Sequence, residues 1–253
     1  MKTKELFITN QRGLRLAANL DVPDDGNVKA YAVYAHCFTC SKELKAIANI
    51  DTSLTEMGIA TLRFDMTGIG GSEGEFIDTN YTTQLEDFSA VVEYLKQNYE
   101  MPKLFIGHSL GGTVALFSAL KYPEVKAVVT IATPAEPSNL SISLKNTKKR
   151  CILEGVSEAE IGGVKYNFKP EFFEDLESYN LAEALRKLHK PYLILHSPID
   201  TYTDFNNTEI LFQNANGPKE MISLDGMDHL MLKKEDALKV GKIIGEWAEK
   251  YLQ

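Results

Sequence analysis

Polar and apolar residues alternate at the start of the chain and then give way to short runs that are almost wholly apolar. The alternation in Leu6-Phe7-Ile8 and again from Leu14 to Val22 predicts two antiparallel strands, joined by a turn at Asn10-Gln11-Arg12-Gly13. The later runs are rich in β-branched and aromatic residues, which favour strands. These predicted strands are Ala30–Ala35, Ile59–Phe64, Lys103–Gly107, Val125–Ile131, Tyr192–His196 and Met221–Leu224.

Between these runs, apolar residues recur at helical spacing. The clearest patterns are Leu85, Phe88, Val92, Leu95 and Tyr99, and then Ala237, Val240, Ile244, Trp247 and Tyr251. Strands that alternate with helices predict an α/β protein with a mostly parallel sheet and helices on both faces. No internal repeat or linker is evident, so we expect a single domain over residues 1–253.

One segment interrupts this alternation, from about residue 134 to 190. The flanks of Gly162-Gly163 alternate and predict a small hairpin, and a helical stretch runs from Pro170 to Lys190. An insertion between two strands of a parallel sheet commonly covers a site. We therefore predict a cap over the carboxyl edge of the sheet.

Composition narrows the classes of function. The 253 residues are 44% apolar and 25% charged, as in an ordinary globular protein, and the formal net charge of −8 argues against nucleic-acid binding. Neither a membrane span nor a secretory signal is evident, which favours a cytoplasmic protein without membrane partners. Three cysteines are too few for a disulfide scaffold. Oligomeric state cannot be read from the sequence.

The segment Gly107-His108-Ser109-Leu110-Gly111 has the pattern G-x-S-x-G between a predicted strand and a predicted helix. A serine at such a sharp turn sits in strained backbone, where side chains two residues before or after it would collide. The turn projects the hydroxyl from the sheet edge, and the N–H groups of the helix start can stabilise negative charge. Ser109 is therefore the candidate nucleophile.

A serine nucleophile needs a base, and the base needs an acid to orient it. Among five histidines, His229 lies in a loop after the last predicted strand and is the best candidate base. Asp200 follows the strand Tyr192–His196 and is the candidate acid. Its rivals are Asp204, Asp225 and Asp228, of which the last two are typical turn formers. The order Ser109, Asp200, His229 is the chain order of α/β hydrolases.

Cys37-Phe38-Thr39-Cys40 has the spacing of a redox pair or of half a zinc site. No further cysteine pair or nearby histidine completes a zinc site, and the context does not resemble a thioredoxin-like helix start. We favour a third reading, a loop whose backbone stabilises an oxyanion. The donors would be the N–H groups of Phe38 and Leu110.

These motifs together resemble the α/β-hydrolase superfamily over nearly the whole chain outside residues 134–190. The stretches 35–42, 62–68 and 223–230 resemble, more narrowly, the hydrolase half of proteins that fuse this domain to an OsmC-type peroxidase domain. The resemblance implies an eight-stranded α/β-hydrolase fold with a small cap, and a nucleophile, acid and base at Ser109, Asp200 and His229. No OsmC domain is expected after Gln253.

The predicted activity is hydrolysis of carboxylic esters of small or medium acyl groups, in the EC 3.1.1 class, without metal or organic cofactor. A thioesterase, a peptidase or a cofactor-free perhydrolase would use the same residues, as would C–C bond hydrolysis. A non-catalytic module that binds a small apolar ligand is the alternative of another class. We expect Cys37, His108 and Tyr166 to contact substrate. Aromatic residues of the cap fit an apolar pocket or simple packing, and we favour packing.

Overall fold

The computed structural model describes residues 1–252. In chain order its elements are β1 (Lys2–Thr9), β2 (Arg15–Val22), β3 (Ala30–Ala35), α1 (Lys45–Glu56), β4 (Ile59–Phe64), α2 (Tyr81–Asn98), β5 (Leu104–His108), α3 (Leu110–Lys121), β6 (Ala127–Ile131), α4 (Asn139–Ser143), α5 (Lys145–Glu154), β7 (Ser157–Ile161), β8 (Val164–Phe168), α6 (Pro170–Glu177), α7 (Leu181–Lys187), β9 (Tyr192–His196), α8 (Asn206–Asn214), β10 (Lys219–Ser223) and α9 (Lys234–Leu252).

Eight strands form one sheet in the order β1-β2-β4-β3-β5-β6-β9-β10. The predicted opening hairpin is confirmed, with Leu6 opposite Ala18 and Ile8 opposite Leu16. β2 also runs antiparallel to β4, whereas every later pairing in this sheet is parallel. The prediction of a mostly parallel, eight-stranded sheet is therefore confirmed.

The central strands β3, β4, β5, β6 and β9 are buried at every position. This explains their nearly continuous apolar sequences, because a parallel sheet is covered on both faces. One face packs against the apolar stripes of α1 and α9, which include Ile47, Ile50, Val240 and Ile244. The other packs against α2, α3 and α7, through residues that include Phe88, Val92, Val114 and Leu185.

Residues between β6 and β9 form the insertion. It contains α4, α5, the antiparallel pair β7–β8, and then α6 and α7. The predicted helical stretch from Pro170 to Lys190 is divided into α6 and α7. Asn180 lies between them in extended backbone and caps the start of α7, because its side-chain oxygen accepts a hydrogen bond from the Glu183 N–H at 2.8 Å. Phe168, Phe172 and Phe173 are buried in the core, which confirms the packing interpretation of these aromatics.

None of the helices within residues 1–252 combines the length and the apolar composition needed to cross a bilayer.

Two glycines of α9 make a matched pair for testing how the helix packs on α1. A methyl group on Gly241 would lie 2.5 Å from the main-chain oxygen of Ile50, which cannot move without α1, whereas one on Gly245 would meet the flexible end of Met57. We expect Gly241→Ala to lower the free energy of unfolding by about 1–3 kcal/mol. Gly245→Ala should be near neutral, because its helix propensity improves by about 1 kcal/mol.

Urea unfolding of both variants would measure the difference. Equal free energies of unfolding for the two variants would contradict this account of the α1–α9 contact.

Candidate active site

The predicted site residues follow four parallel strands and lie at one edge of the sheet. Phe38 follows β3, Ser109 follows β5, Asp200 follows β9 and His229 follows β10. The carboxyl ends of parallel strands share an edge, so the topology brings these distant segments together.

Ser109 occupies a sharp turn between β5 and α3, with φ 53° and ψ −124°. A positive φ strains a residue that carries a Cβ, and such strain is typical of functional sites. The turn is held by the Ser109 N–H, which donates to the Ile131 oxygen of β6 at 2.8 Å. Glycine is required beside it, because a methyl group on Gly111 would collide with the main-chain oxygen of His36, and one on Gly107 with that of Gly111. This turn between β5 and α3, residues 107–111, is called the elbow below, and it packs directly on β3 and β6.

His229 and Asp200 form a tight pair. His229 Nδ1 lies 2.7 Å from Asp200 Oδ2, and the Asp200 side chain is 0% exposed. An ionised carboxylate only accepts hydrogen bonds, so this contact assigns the proton to Nδ1 and leaves the lone pair on Nε2. The rivals of Asp200 bond to nearby turns instead: Asp204 to Asn206, Asp225 to Ser223, and Asp228 to Leu230 and Leu232.

Asp200 has a second histidine partner that the sequence analysis did not assign to it. His196 Nε2 lies 3.3 Å from Asp200 Oδ2, and the N–H groups of Tyr202 and Thr203 donate to Oδ1. Burial alone would raise the pKa of the Asp200 carboxyl, but the hydrogen bonds from His196 and His229 outweigh it and hold the pKa well below its usual range. The carboxylate therefore stays ionised next to His229.

His108 ties the elbow to the His229 loop. Its Nε2 donates to the main-chain oxygen of His229 at 2.8 Å, and the two rings lie 5.0 Å apart. Burial first, and then the neighbouring His229, lower the pKa of His108 from its ordinary 6.5 to about 3. This wholly buried ring faces the main chain and makes a positioning contact there, and the expectation that His108 contacts substrate stays a prediction.

Ser109 is half-buried, and its hydroxyl does not cap its own helix. Within the described chain, no hydrogen bond joins Ser109 Oγ to His229 Nε2. Such a bond is often long without substrate and tightens when substrate binds.

The loop after β3 and the start of α3 each present an unpaired backbone donor. Across residues 1–252, no protein acceptor takes the N–H of Phe38 or of Leu110. The loop is anchored by Asp65, whose carboxylate accepts from Lys42 N–H at 2.6 Å and from Gly71 N–H at 2.9 Å. Cys37 and Cys40 are joined by a disulfide. The two cysteines are therefore bonded to each other, and the peptide between them carries the free Phe38 N–H.

Aromatic side chains close the space beside this loop. The ring of Phe38 lies 6.0 Å from that of Phe76 and 5.9 Å from that of Phe172, and Phe76 lies 4.7 Å from Tyr166. The Tyr166 hydroxyl reaches the Thr39 oxygen at 3.5 Å. The enclosed cavity, bordered by Cys37, Phe38, Phe76 and Leu110 among others, has a volume of only about 10 Å³, room for roughly one water molecule.

Tyr202 lies on the open side of His229 and was missed by the sequence analysis. Its ring is 77% exposed and lies 5.1 Å from the His229 ring. An exposed tyrosine in a loop carries no periodic signal, and its position two residues after Asp200 is the one sequence feature that could have drawn attention to it. No group of three or more His, Cys, Asp or Glu side chains in the described part of the chain is placed to hold a metal ion.

Comparison with known proteins bears on this geometry. Residues 28–158 match a family of hydrolases described as serine aminopeptidase, S33. A crystal structure of the esterase domain of a Rhodothermus marinus protein is 41% identical in sequence, with all of both chains aligned and a TM-score of 0.81. Est1E from Butyrivibrio proteoclasticus, solved with ferulic acid, has a TM-score of 0.79 over 98% of this chain and 99% of its own, at 21% identity, which supports the shared fold alone.

A human relative, mitochondrial palmitoyl-protein thioesterase ABHD10, is 27% identical over 203 residues. The alignment takes in 76% of this chain but only 64% of the relative. The chain thus spans less than two thirds of the length of this relative, and 47% of its Bos taurus counterpart is aligned.

The buried His108 predicts an acid-sensitive stability. The unfolded chain takes up a proton near pH 6.5, whereas folded His108 stays neutral down to about pH 3, so stability declines as pH falls through that interval. In His108→Gln, whose amide can still donate to the His229 oxygen, this contribution is absent. We expect its free energy of unfolding to decline less between pH 7 and pH 5 than that of the wild type.

His189 is exposed, so His189→Gln should keep the pH dependence of the wild type. Urea unfolding at both pH values would test this. An equal loss of unfolding free energy between pH 7 and pH 5 in the wild type and in His108→Gln would refute it.

Proposed function

Because this chain belongs to the α/β-hydrolase family described as serine aminopeptidase, S33, we propose that it is a serine hydrolase that cleaves carboxylic esters of small or medium acyl groups. The observation that carries the proposal is the buried Asp200–His229 pair, joined at 2.7 Å and tied through His108 to the strained turn of Ser109. An esterase domain 41% identical over the whole chain supports the reaction class.

In the proposed mechanism, His229 Nε2 takes the proton of Ser109 as Oγ attacks the acyl carbon. Asp200 keeps the proton on Nδ1 and stabilises the imidazolium that forms. The negative oxygen of the tetrahedral intermediate accepts from the N–H groups of Phe38 and Leu110, the free donors of the site. His229 then gives its proton to the leaving alcohol, and a water molecule, activated in the same way, releases the acyl group.

The size of the cavity supports the proposed preference for short acyl groups. A volume of about 10 Å³ beside Phe38 does not admit a long chain unless Phe38 or Phe76 moves. Phe172 and Tyr166 of the insertion pack against these two rings from behind. Tyr202, exposed on the other side of His229, is placed to contact the leaving group. In this assignment Cys37 borders the acyl cavity, and Tyr166 supports its wall through Phe76.

Thioester hydrolysis is the second candidate. It is favoured by the human relative named a palmitoyl-protein thioesterase. The same residues would attack a thioester, but a palmitoyl chain would require the aromatic wall to open.

Turnover of p-nitrophenyl butyrate, with labelling by a fluorophosphonate probe, tests the proposed function. We expect wild-type turnover and a label on Ser109, both lost in Ser109→Ala. Asp200→Asn should lower kcat by about 10⁴-fold, because it leaves His229 in the wrong tautomer.

Asp204→Asn is the matched control, since the Asp204 carboxylate accepts from the Asn206 N–H of its own turn and does not contact His229. It should retain kcat within about threefold of wild type, as expected for an exposed turn residue. Equal losses in the two variants, or a folded wild type that neither turns over ester nor takes the label, would contradict the proposal.

Enlarging the cavity should shift the acyl preference. Phe76 is half-buried and contacts Phe38, Tyr166 and Phe168, so Phe76→Ala opens space beside the acyl group. We expect kcat/KM for the octanoate ester relative to the acetate ester to rise at least about tenfold, given roughly 0.8 kcal/mol for each methylene newly buried.

The control Phe7→Ala removes a phenylalanine that is 60% exposed on β1 and should leave the ratio unchanged. If Phe76→Ala also leaves the octanoate-to-acetate ratio of kcat/KM unchanged, the acyl group binds elsewhere.

A further inference from the structure

The disulfide between Cys37 and Cys40 encloses the backbone that the proposed mechanism uses. The two Cα atoms are 5.3 Å apart, and the closed ring contains Phe38 and Thr39. Cys37 is 1% exposed, whereas Cys40 is half-buried, so Cys40 is the end that a reagent can reach. The third cysteine, Cys151, is buried near Phe168 and takes no part.

The peptide between Cys37 and Phe38 has its two polar groups in different environments. Its oxygen accepts two hydrogen bonds, from His36 Nδ1 at 2.7 Å and from the Cys40 N–H at 3.0 Å. Its N–H, that of Phe38, has no acceptor among residues 1–252. A peptide is planar, so holding the oxygen also aims the N–H.

His36 is suited to this contact. Its Nε2 accepts from the Met66 N–H at 3.3 Å, which leaves the proton on Nδ1 for the Cys37 oxygen. Burial lowers the pKa of His36 and keeps the ring neutral in this arrangement.

Apart from the packing of the Phe38 side chain on Phe76 and Phe172, the other anchors of the loop lie outside the ring. Strand β3 ends at Ala35, and on the far side Asp65 holds the N–H of Lys42. Between them Thr39 has φ 57°, a strained conformation for a residue with a Cβ. From the cap, only the long contact from the Tyr166 hydroxyl, at 3.5 Å, reaches the Thr39 oxygen. The disulfide is the one covalent constraint on this turn.

We propose that the Cys37–Cys40 disulfide is a positioning element of the oxyanion hole, and that full hydrolytic activity requires this pair to be oxidised. The inference rests on the proposed function, since it concerns the donor that Phe38 contributes. Reduction frees the turn to relax from the strained conformation at Thr39. Only the hydrogen bonds to the Cys37 oxygen then aim the Phe38 N–H, so its direction is less strictly fixed, while the nucleophile, base and acid remain in place.

A dithiol reductant can carry out the change. Its first thiolate attacks Sγ of Cys40, the S–S bond breaks, and Cys37 leaves as a thiolate that takes up a proton. The second thiol of the reductant then attacks the mixed disulfide and closes its own ring, and Cys40 leaves as a thiol. Two electrons and two protons pass from the reductant to the pair.

The test compares the wild type, the double variant Cys37→Ser/Cys40→Ser and the control Cys151→Ser. Each is assayed on p-nitrophenyl butyrate as purified, after dithiothreitol treatment followed by anaerobic desalting, and after reoxidation. Alkylation and mass spectrometry report the thiols in each state, and fluorophosphonate labelling reports Ser109.

We expect reduction to lower kcat of the wild type at least tenfold, with KM changed less than threefold and activity restored on reoxidation, as for the weakening of one oxyanion donor. Cys151→Ser should respond like the wild type. The double variant should show, as purified, the kcat of the reduced wild type, and this kcat should not change when the reductant is added.

Equal kcat in both redox states of the wild type, or a pair found reduced in the fully active protein, would overturn the inference and leave the proposed function intact. A parallel rise in KM, or loss of the circular dichroism signal on reduction, would assign the bond to general stability and overturn it as well. Absence of turnover and of label in either state would instead contradict the proposed function.

Discussion

The backbone of Ser109 is the constraint around which this edge of the sheet is built. Its positive φ costs a residue with a Cβ about 1–3 kcal/mol and persists only where the surroundings determine it. Here β6 accepts its N–H, and Gly111 lets α3 approach the end of β3 so closely that no side chain fits between them. The other non-glycine residues with positive φ, Thr39, Ala132 and Met231, all follow strands or loops at this same edge. Strain is therefore concentrated where the candidate chemistry lies.

Asp200 imposes a second, electrostatic condition. A carboxylate taken out of water is unfavourable unless several donors replace the water. Four donors surround the Asp200 carboxylate. They are His229 from the loop after β10, His196 from the end of β9, and two backbone N–H groups from its own loop. The pair therefore depends on the alignment of β9 with β10, the two strands at one end of the sheet.

Much of the fold was predictable because it depends on burial. The bounds of β3, β4 and β9 coincide with apolar runs, since both faces of these strands are covered. The candidate residues Ser109, Asp200 and His229 were predictable for a related reason. Each follows a strand, and parallel strands bring their carboxyl ends to one edge. Less was predictable at boundaries set by hydrogen bonds: α8 has a weak apolar pattern, and the division of α6 from α7 depends on a single asparagine cap.

Some contacts could not be predicted from the sequence. They are made across the fold by residues that have more than one plausible role. His196 reads as a strand-end histidine until Asp200 turns back towards it, and His108 reads as a cleft residue until its ring is seen against the His229 oxygen. Cys37 and Cys40 are the sharpest case. Their spacing fits a redox pair and their position fits an oxyanion loop, and sequence reasoning treats these as alternatives. They are compatible because a disulfide acts on side chains and the oxyanion donor belongs to the backbone. One turn can therefore satisfy both, with the covalent bond holding the peptide whose N–H is left free.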